Sequence, residues 1–287
     1  MSDSPVDSDT DRSPFMDSTT TKRVKGLMSY IHQPEHDVNP ELAVVVVHQC
    51  TALGGSAMAA EDIASAVCDE GLLTVSFDLR GAGESSGCCC LWPIPCISGC
   101  PEVSDVVTIA QWVKEKLGRD SYILGVSAGG PIGIGALDRL PCIRGYTSVA
   151  CTLGLATNLL FGPRVIAGLL SRKPKLFIMG TADIFTSVAA YKLAMRLARQ
   201  PRSAVLIPGA GHFDLEYRPM ARLDARLVAD FIGAGGTLPA RLEGGAVHLA
   251  SYRRWLWPSV FNCGPLYLIL AMIGLFVYVH RPLTRYG

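Results

Sequence analysis

Gly125-Val126-Ser127-Ala128-Gly129 sets a serine between two glycines, directly after the apolar run Tyr122 to Val126 and at the start of residues that read as a helix from Ala128. A strand that turns sharply into a helix brings neighbouring backbone close to the serine, so the flanking positions have little room for a side chain. A hydroxyl held in this way is placed to attack a carbonyl, but it is a poor nucleophile at neutral pH. It needs a neutral imidazole to accept its proton and a carboxylate to keep that imidazole in the useful tautomer. Both follow, in the order acid then base. Lys175 to Met179 leads into Gly180-Thr181-Ala182-Asp183, and Ala204 to Ile207 leads into Pro208-Gly209-Ala210-Gly211-His212. Each lies just past an apolar strand candidate. The expected catalytic set is Ser127 as nucleophile, His212 as base and Asp183 as the acid that orients it, and the expected chemistry is acyl transfer to water.

Other readings of these residues compete. Asp183 also suits the cap of a helix that begins near Phe185, a role compatible with catalysis. His212 has the alternative of an ordinary loop histidine. Asp214 and Glu216 are rival acids, but neither follows a strand. Acyl transfer also needs N–H donors aimed at the developing oxyanion. Ala128 N–H is one candidate, and the loop His48-Gln49-Cys50-Thr51-Ala52-Leu53-Gly54-Gly55-Ser56 offers the second, with Cys50 N–H preferred. The Cys50 thiol has no sequence-adjacent base, so it is not the expected nucleophile. No metal or cofactor is called for.

The elements that must hold these groups alternate along the chain. Leu42 to His48 is a continuous, largely β-branched run, the pattern of a strand covered on both faces. Gly26 to Ile31, Leu73 to Leu79, Tyr122 to Val126, Tyr146 to Ala150, Leu176 to Met179 and Ala204 to Ile207 read as further strands. Ser56 to Glu70, Val103 to Leu117, the segment from Ala128, and Pro219 to Ile232 read as helices. Alternation of this kind implies a mostly parallel sheet wound by right-handed crossovers, with the site along the ends of its strands.

From about Tyr30 to Ile232 the chain resembles the α/β hydrolases. The likeness is carried by the His48 to Gly55 loop, Phe77-Asp78-Leu79-Arg80-Gly81-Ala82-Gly83-Glu84-Ser85, the serine turn, and the Gly180 to Asp183 and His212 loops. It is similar to small plant and algal α/β-hydrolase proteins with little cap insertion, and to dienelactone-hydrolase-like and prolyl-oligopeptidase-like domains. The resemblance implies the α/β-hydrolase fold, the roles of Ser127, Asp183 and His212, and metal-free hydrolysis through an acyl-enzyme. Gln49 departs from it, standing where many relatives carry Gly or Pro. The expected layout is a disordered tail over 1–24, a hydrolase domain over 25–233, a linker over 234–254, a transmembrane helix over 255–280 and a short tail over 281–287.

The 287 residues are 49% hydrophobic, 18% charged and carry a formal net charge of +1. No basic stripe appears, so nucleic acid is not an expected partner. The polar, Asp/Ser/Thr-rich start to about Thr21 is read as a tail that cannot bury enough surface to order itself. From Trp255 to His280 there is no Asp, Glu, Lys or Arg, while Trp255, Trp257 and Tyr278 lie near the ends of that stretch. This is the pattern of one membrane helix with an interfacial belt, a buried C-terminal helix being the other reading; arginines on both sides leave the charge balance neutral on orientation, and a span this close to the C-terminus suggests a tail anchor with the hydrolase domain in the cytosol. Cys88, Cys89, Cys90, Cys96 and Cys100 crowd one stretch. An apolar loop, S-acylation and, least favoured by its spacing, zinc are the open readings.

The connection from Cys151 to Leu170 is too short for both a crossover helix and a large lid, so an open site is expected. The substrate is then a small molecule or an acyl ester or thioester. A prolyl-type peptidase and a non-catalytic scaffold of the same fold are the alternatives.

Overall fold

Valines with no polar neighbours in sequence need cover on both faces, and Val44 to Val47 receive it, each at most 1% exposed. They belong to β3 (Leu42–Val47) in a computed structural model that describes residues 19–49, 55–87, 101–153 and 164–238. Two strands precede it, β1 (Thr19–Val24) and β2 (Leu27–His32). After β3 come α1 (Glu61–Asp69), β4 (Thr74–Phe77), α2 (Pro101–Trp112), β5 (Asp120–Val126), α3 (Gly129–Gly135) and β6 (Ile143–Val149). A helical stretch over 164–169 (α4), β7 (Lys175–Gly180), α5 (Val188–Leu197), β8 (Arg202–Ile207) and α6 (Met220–Gly233) complete the described fold.

The strands form one sheet in the order β1-β2-β4-β3-β5-β6-β7-β8, parallel from β4 to β8 and antiparallel where β2 meets β1 and β4. Successive strand residues point to opposite faces. Ala43, Val45 and Val47 accordingly join one cluster with Val106 and Ile109 of α2, Ile132 and Ile134 of α3, and Tyr191 of α5. Val44 and Val46 turn to the other face. There α1 packs on α6, and Tyr122 of β5 meets Phe231 of α6 edge-on at 6.2 Å. This is the α/β-hydrolase arrangement expected from the alternating pattern, with every crossover returning the chain to the same sheet edge.

Residues 19–24, expected to belong to the disordered tail, form a strand. Thr19 to Val24 pair antiparallel with β2, from Thr19 opposite His32 to Val24 opposite Leu27. The two residues between them, Lys25 (φ 47°) and Gly26 (φ 91°), both have left-handed backbones, the turn that matches the natural twist of a hairpin. Threonine is β-branched and suits an edge strand whose side chains stay wet. Only Val24 of this strand is buried. The expected helix over Ser56 to Glu70 is a 3-10 turn (Ala57–Ala60) followed by α1.

Among the described residues no helix is long and apolar enough to cross a membrane. The membrane helix expected over 255–280, the linker beyond Leu238, the Cys88 to Cys100 stretch and most of the short connection before α4 lie outside the described residues. Among the described residues no cluster of His, Cys, Asp or Glu is arranged to hold a metal.

Several core positions are polar, and one of these is an acid with neither oxygen paired among the described residues. It is Asp224 of α6, 0% exposed. Burial pushes its pKa well above the usual carboxylate range. The unfolded chain therefore releases this proton at a lower pH than the folded one. The position is neutral in its effect below the unfolded pKa and costs stability increasingly as pH rises toward the folded value. Asp224→Asn, which keeps the shape and cannot ionise, is expected to raise the melting temperature at pH 8 and to leave it nearly unchanged at pH 4. Equal shifts at both pH values in thermal melts would rule this out.

Candidate active site

Ser127 stands at the abrupt junction of β5 and α3 with φ 52°, a left-handed backbone that a non-glycine residue rarely holds. The glycines beside it are required by contact. A Cβ on Gly125 would lie 2.6 Å from the Gly129 carbonyl oxygen and from Gly130 Cα. A Cβ on Gly129 would lie 2.1 Å from the Val47 carbonyl oxygen and 2.5 Å from that of His48. The serine turn is thus pressed onto the end of β3, where the His48 loop begins. Ala128 follows Ser127 at the N-terminus of α3. Cys50, the other expected oxyanion donor, lies outside the described residues.

The loops after β7 and β8 are held together by a continuation of strand pairing past the strands themselves. Thr181 N–H donates to the Ile207 carbonyl (3.0 Å), Ala182 N–H to the Ala210 carbonyl (2.9 Å) and Gly209 N–H to Thr181 Oγ1 (2.8 Å). A Cβ on Gly180 would come within 2.0 Å of the Ala210 carbonyl oxygen, so only glycine permits this approach. Asp183 and His212 are brought side by side as a result.

The three predicted residues form one line of hydrogen bonds. Asp183 Oδ2 lies 2.7 Å from His212 Nδ1, and His212 Nε2 lies 2.8 Å from Ser127 Oγ. A carboxylate oxygen can only accept, so Nδ1 carries the proton and Nε2 presents its lone pair to the serine hydroxyl. The side chains of Asp183 and His212 are 0% and 1% exposed. Phe185 packs edge-on against the imidazole with ring centres 4.5 Å apart, and Phe213 does so at 5.2 Å.

Asp183 also does the loop work weighed for it. Its Oδ1 accepts from Phe185 N–H (2.7 Å) and Thr186 N–H (2.8 Å), leaving Oδ2 to the imidazole. The helix that follows starts later than expected, at Val188, and its cap is Ser187, whose hydroxyl accepts from Ala190 N–H. Thr186 ties this loop to the end of β6, donating to the Cys151 carbonyl and accepting from Leu153 N–H.

Of the rival acids, Asp214 accepts from Gly211 N–H (2.7 Å) and so closes the turn before His212. Glu216 is a different matter. It is 8% exposed, and its Oε1 lies 3.7 Å from His212 Nε2, on the serine side of the ring rather than the Asp183 side. Its Oε2 accepts from Gln49 Nε2 at 2.9 Å, and burial raises its pKa. Neither Gln49 nor Glu216 was expected in this role. The only available signal was the spacing of Glu216 four positions after His212, which puts both on one short helical turn.

Two further residues of the motifs are structural. His48 is fully buried and neutral, its pKa lowered mainly by burial; Nε2 accepts from Leu79 N–H (3.0 Å), so Nδ1–H donates to the Gln49 carbonyl (2.7 Å). Asp78 accepts from Ala57 N–H at Oδ1 (2.8 Å) and from Glu84 N–H (3.0 Å) and Tyr30 O–H (3.2 Å) at Oδ2. Together they fix the segments on either side of the His48 loop. Cys151, behind the serine turn, is no rival nucleophile, since burial is the main cause pushing its thiol up to about 12.

This architecture matches solved structures at low sequence identity. An α/β serine hydrolase homologue from Coxiella burnetii aligns with a TM-score of 0.60 and 21% identity over 73% of this chain and 96% of its own. An α/β serine hydrolase without lid from Xanthomonas campestris aligns with 0.59 and 20% identity over 78% and 96%. A thermophilic esterase from the Planctomycetes species Thermogutta terrifontis, with propionate bound, aligns with 0.60 and 18% identity over 78% and 97%. No protein-family model and no curated protein sequence matches the chain. Its fold is that of the α/β serine hydrolases.

Proposed function

We propose that the protein is a serine hydrolase that cleaves carboxylic ester or thioester bonds through an acyl-enzyme. The observation that carries this reading is the unbroken line Asp183–His212–Ser127. As Ser127 Oγ attacks the carbonyl carbon, His212 Nε2 takes its proton, and Asp183 Oδ2 steadies the imidazolium through Nδ1–H. The negative oxygen of the tetrahedral intermediate is received by Ala128 N–H, with Cys50 N–H the second donor expected from the sequence. His212 then returns the proton to the departing alcohol or thiol, and the acyl group stays on Ser127. Water, deprotonated by the same nitrogen, frees the acid and regenerates the hydroxyl.

Short acyl ligands in structural neighbours, propionate and butyrate in the Thermogutta esterase, support an acyl substrate. Trp255 to His280, free of Asp, Glu, Lys and Arg, supports a membrane tether. The test is labelling by a fluorophosphonate probe in membrane and soluble fractions, with the adduct mapped by peptide mass spectrometry. A single adduct on Ser127 in the membrane fraction is expected, together with turnover of p-nitrophenyl esters. Folded protein that takes no label would shift the reading to a non-catalytic scaffold, and labelled protein confined to the soluble fraction would remove the tether.

A further inference from the structure

The orphan acceptor beside the base has a consequence for what the enzyme takes, given the hydrolase reading above. Glu216 is more than nine-tenths buried, and its two oxygens are in different situations. Oε2 is engaged by Gln49. The Gln49 amide is oriented unambiguously, because Nε2 faces two acceptors, Glu216 Oε2 at 2.9 Å and the Ala59 carbonyl at 3.0 Å. Oε1 has no hydrogen-bond partner among the described residues. It lies 3.7 Å from His212 Nε2, beyond hydrogen-bond reach of that nitrogen but close beside it.

Nε2 is the atom that must protonate the leaving group, so the alcohol oxygen of a bound ester sits within hydrogen-bond distance of it. Oε1, 3.7 Å from the same nitrogen and closed to water in the free protein, is an unpaired acceptor beside the departing oxygen. A buried polar atom without a partner is unfavourable in the free protein, and at a binding site it is matched by what binds. A hydroxyl is the group that matches Oε1 in either protonation state. It donates to the carboxylate and accepts from the carboxylic acid, whereas an ammonium group pairs only with the carboxylate.

We propose that Glu216, positioned by Gln49, is the leaving-group subsite of this enzyme, and that it selects esters whose alcohol carries a hydroxyl vicinal to the ester oxygen, the chemistry of glycol and glycerol monoesters. A hydroxyl next to the scissile bond reaches Oε1 while the ester oxygen faces Nε2. A simple alkyl alcohol leaves Oε1 unpaired and desolvated in the complex.

The test compares kcat/KM for 2-hydroxyethyl butyrate and propyl butyrate, matched in length, in the full-length wild type, Glu216→Leu and Glu216→Gln. The wild type is expected to prefer the hydroxyl-bearing ester by on the order of tenfold or more, the worth of one hydrogen bond to a carboxyl group. Glu216→Leu should abolish that preference, and Glu216→Gln, whose carbonyl oxygen stays on Gln49 Nε2 and whose amide nitrogen then takes the Oε1 position and can donate to the hydroxyl, should retain part of it. Equal rates for the two esters in the wild type overturn the proposal, as does a preference that survives in Glu216→Leu. An equal loss on both esters with a displaced pH profile in Glu216→Gln also overturns it, because Glu216 would then act on His212 alone. A higher rate on 2-(dimethylamino)ethyl butyrate than on either ester rejects the hydroxyl as the selected group. Fluorophosphonate labelling is run in parallel. Unlabelled wild type sinks the hydrolase reading itself, and labelled wild type without preference sinks only this inference. If Glu216→Leu does not fold, the wild-type ratio and its change in Glu216→Gln decide.

Discussion

Ser127→Ala is expected to lower kcat for a short acyl ester by about six orders of magnitude, the scale seen when a triad nucleophile is removed. The reason lies in the geometry around Oγ. His212 Nε2, 2.8 Å away, has no other hydroxyl to activate within the line of hydrogen bonds, and Cys151 is held protonated by burial. What activity remains, roughly three to four orders above water, would come from binding and from the oxyanion donors. The substitution keeps a Cβ at the position whose φ is 52°, so the backbone strain of the turn is already present in the wild type. Thermal melts of the two proteins should therefore nearly coincide while single-turnover hydrolysis differs. Substantial hydrolysis by Ser127→Ala would mean that another group is the nucleophile.

Asp183→Asn is expected to cost about four orders of magnitude in kcat, although it replaces one atom. The carboxylate is an acceptor at both oxygens. Oδ1 takes the Phe185 and Thr186 amides, and an asparagine carbonyl oxygen can continue to do so. The amide nitrogen must then face His212 Nδ1, and being a donor it draws the neutral imidazole into the tautomer with its proton on Nε2. That proton points at Ser127, which can no longer surrender its own. The loop geometry is preserved, so the folded protein should survive with little change in melting temperature while turnover collapses. A fall in rate of less than tenfold with the fold intact would exclude Asp183 as the orienting acid and direct attention to Glu216.

The line Asp183–His212–Ser127 was readable in advance because each of its members follows a strand that announces itself. Tyr122 to Val126, Leu176 to Met179 and Ala204 to Ile207 are apolar runs, the last two ending at Gly180 and Pro208 and the first running into the glycine-flanked serine, and the topology of a parallel sheet brings their ends to one edge. The features that escaped reading lack such a marker. Thr19 to Val24 is a strand written in polar residues, since an edge strand that faces water needs β-branching and a partner more than it needs hydrophobicity. Glu216 touches His212 through a turn too short to show a period, and meets Gln49 from a distant part of the chain. Asp78 looks in sequence like one more acid in a glycine-rich loop. Its purpose appears only when Ala57, Glu84 and Tyr30 are brought around it. Local pattern reports strand ends well, whereas contacts between loops depend on how far each loop reaches.

The crowding of Gly125, Gly129 and Gly180 against carbonyl oxygens divides the site into positions closed to variation and positions open to it. Laboratory evolution toward new acyl groups would find no foothold at these glycines, because any added atom moves the nucleophile or parts the acid from the base. The tolerant ground is the exposed fringe, where Ile184 is 48% exposed and Tyr217 65%, whereas Phe213 packs on the His212 ring. A library confined to Ile184 and Tyr217 varies the rim of the loops that carry the acid and the base while leaving the hydrogen-bonded line and its ring contacts in place.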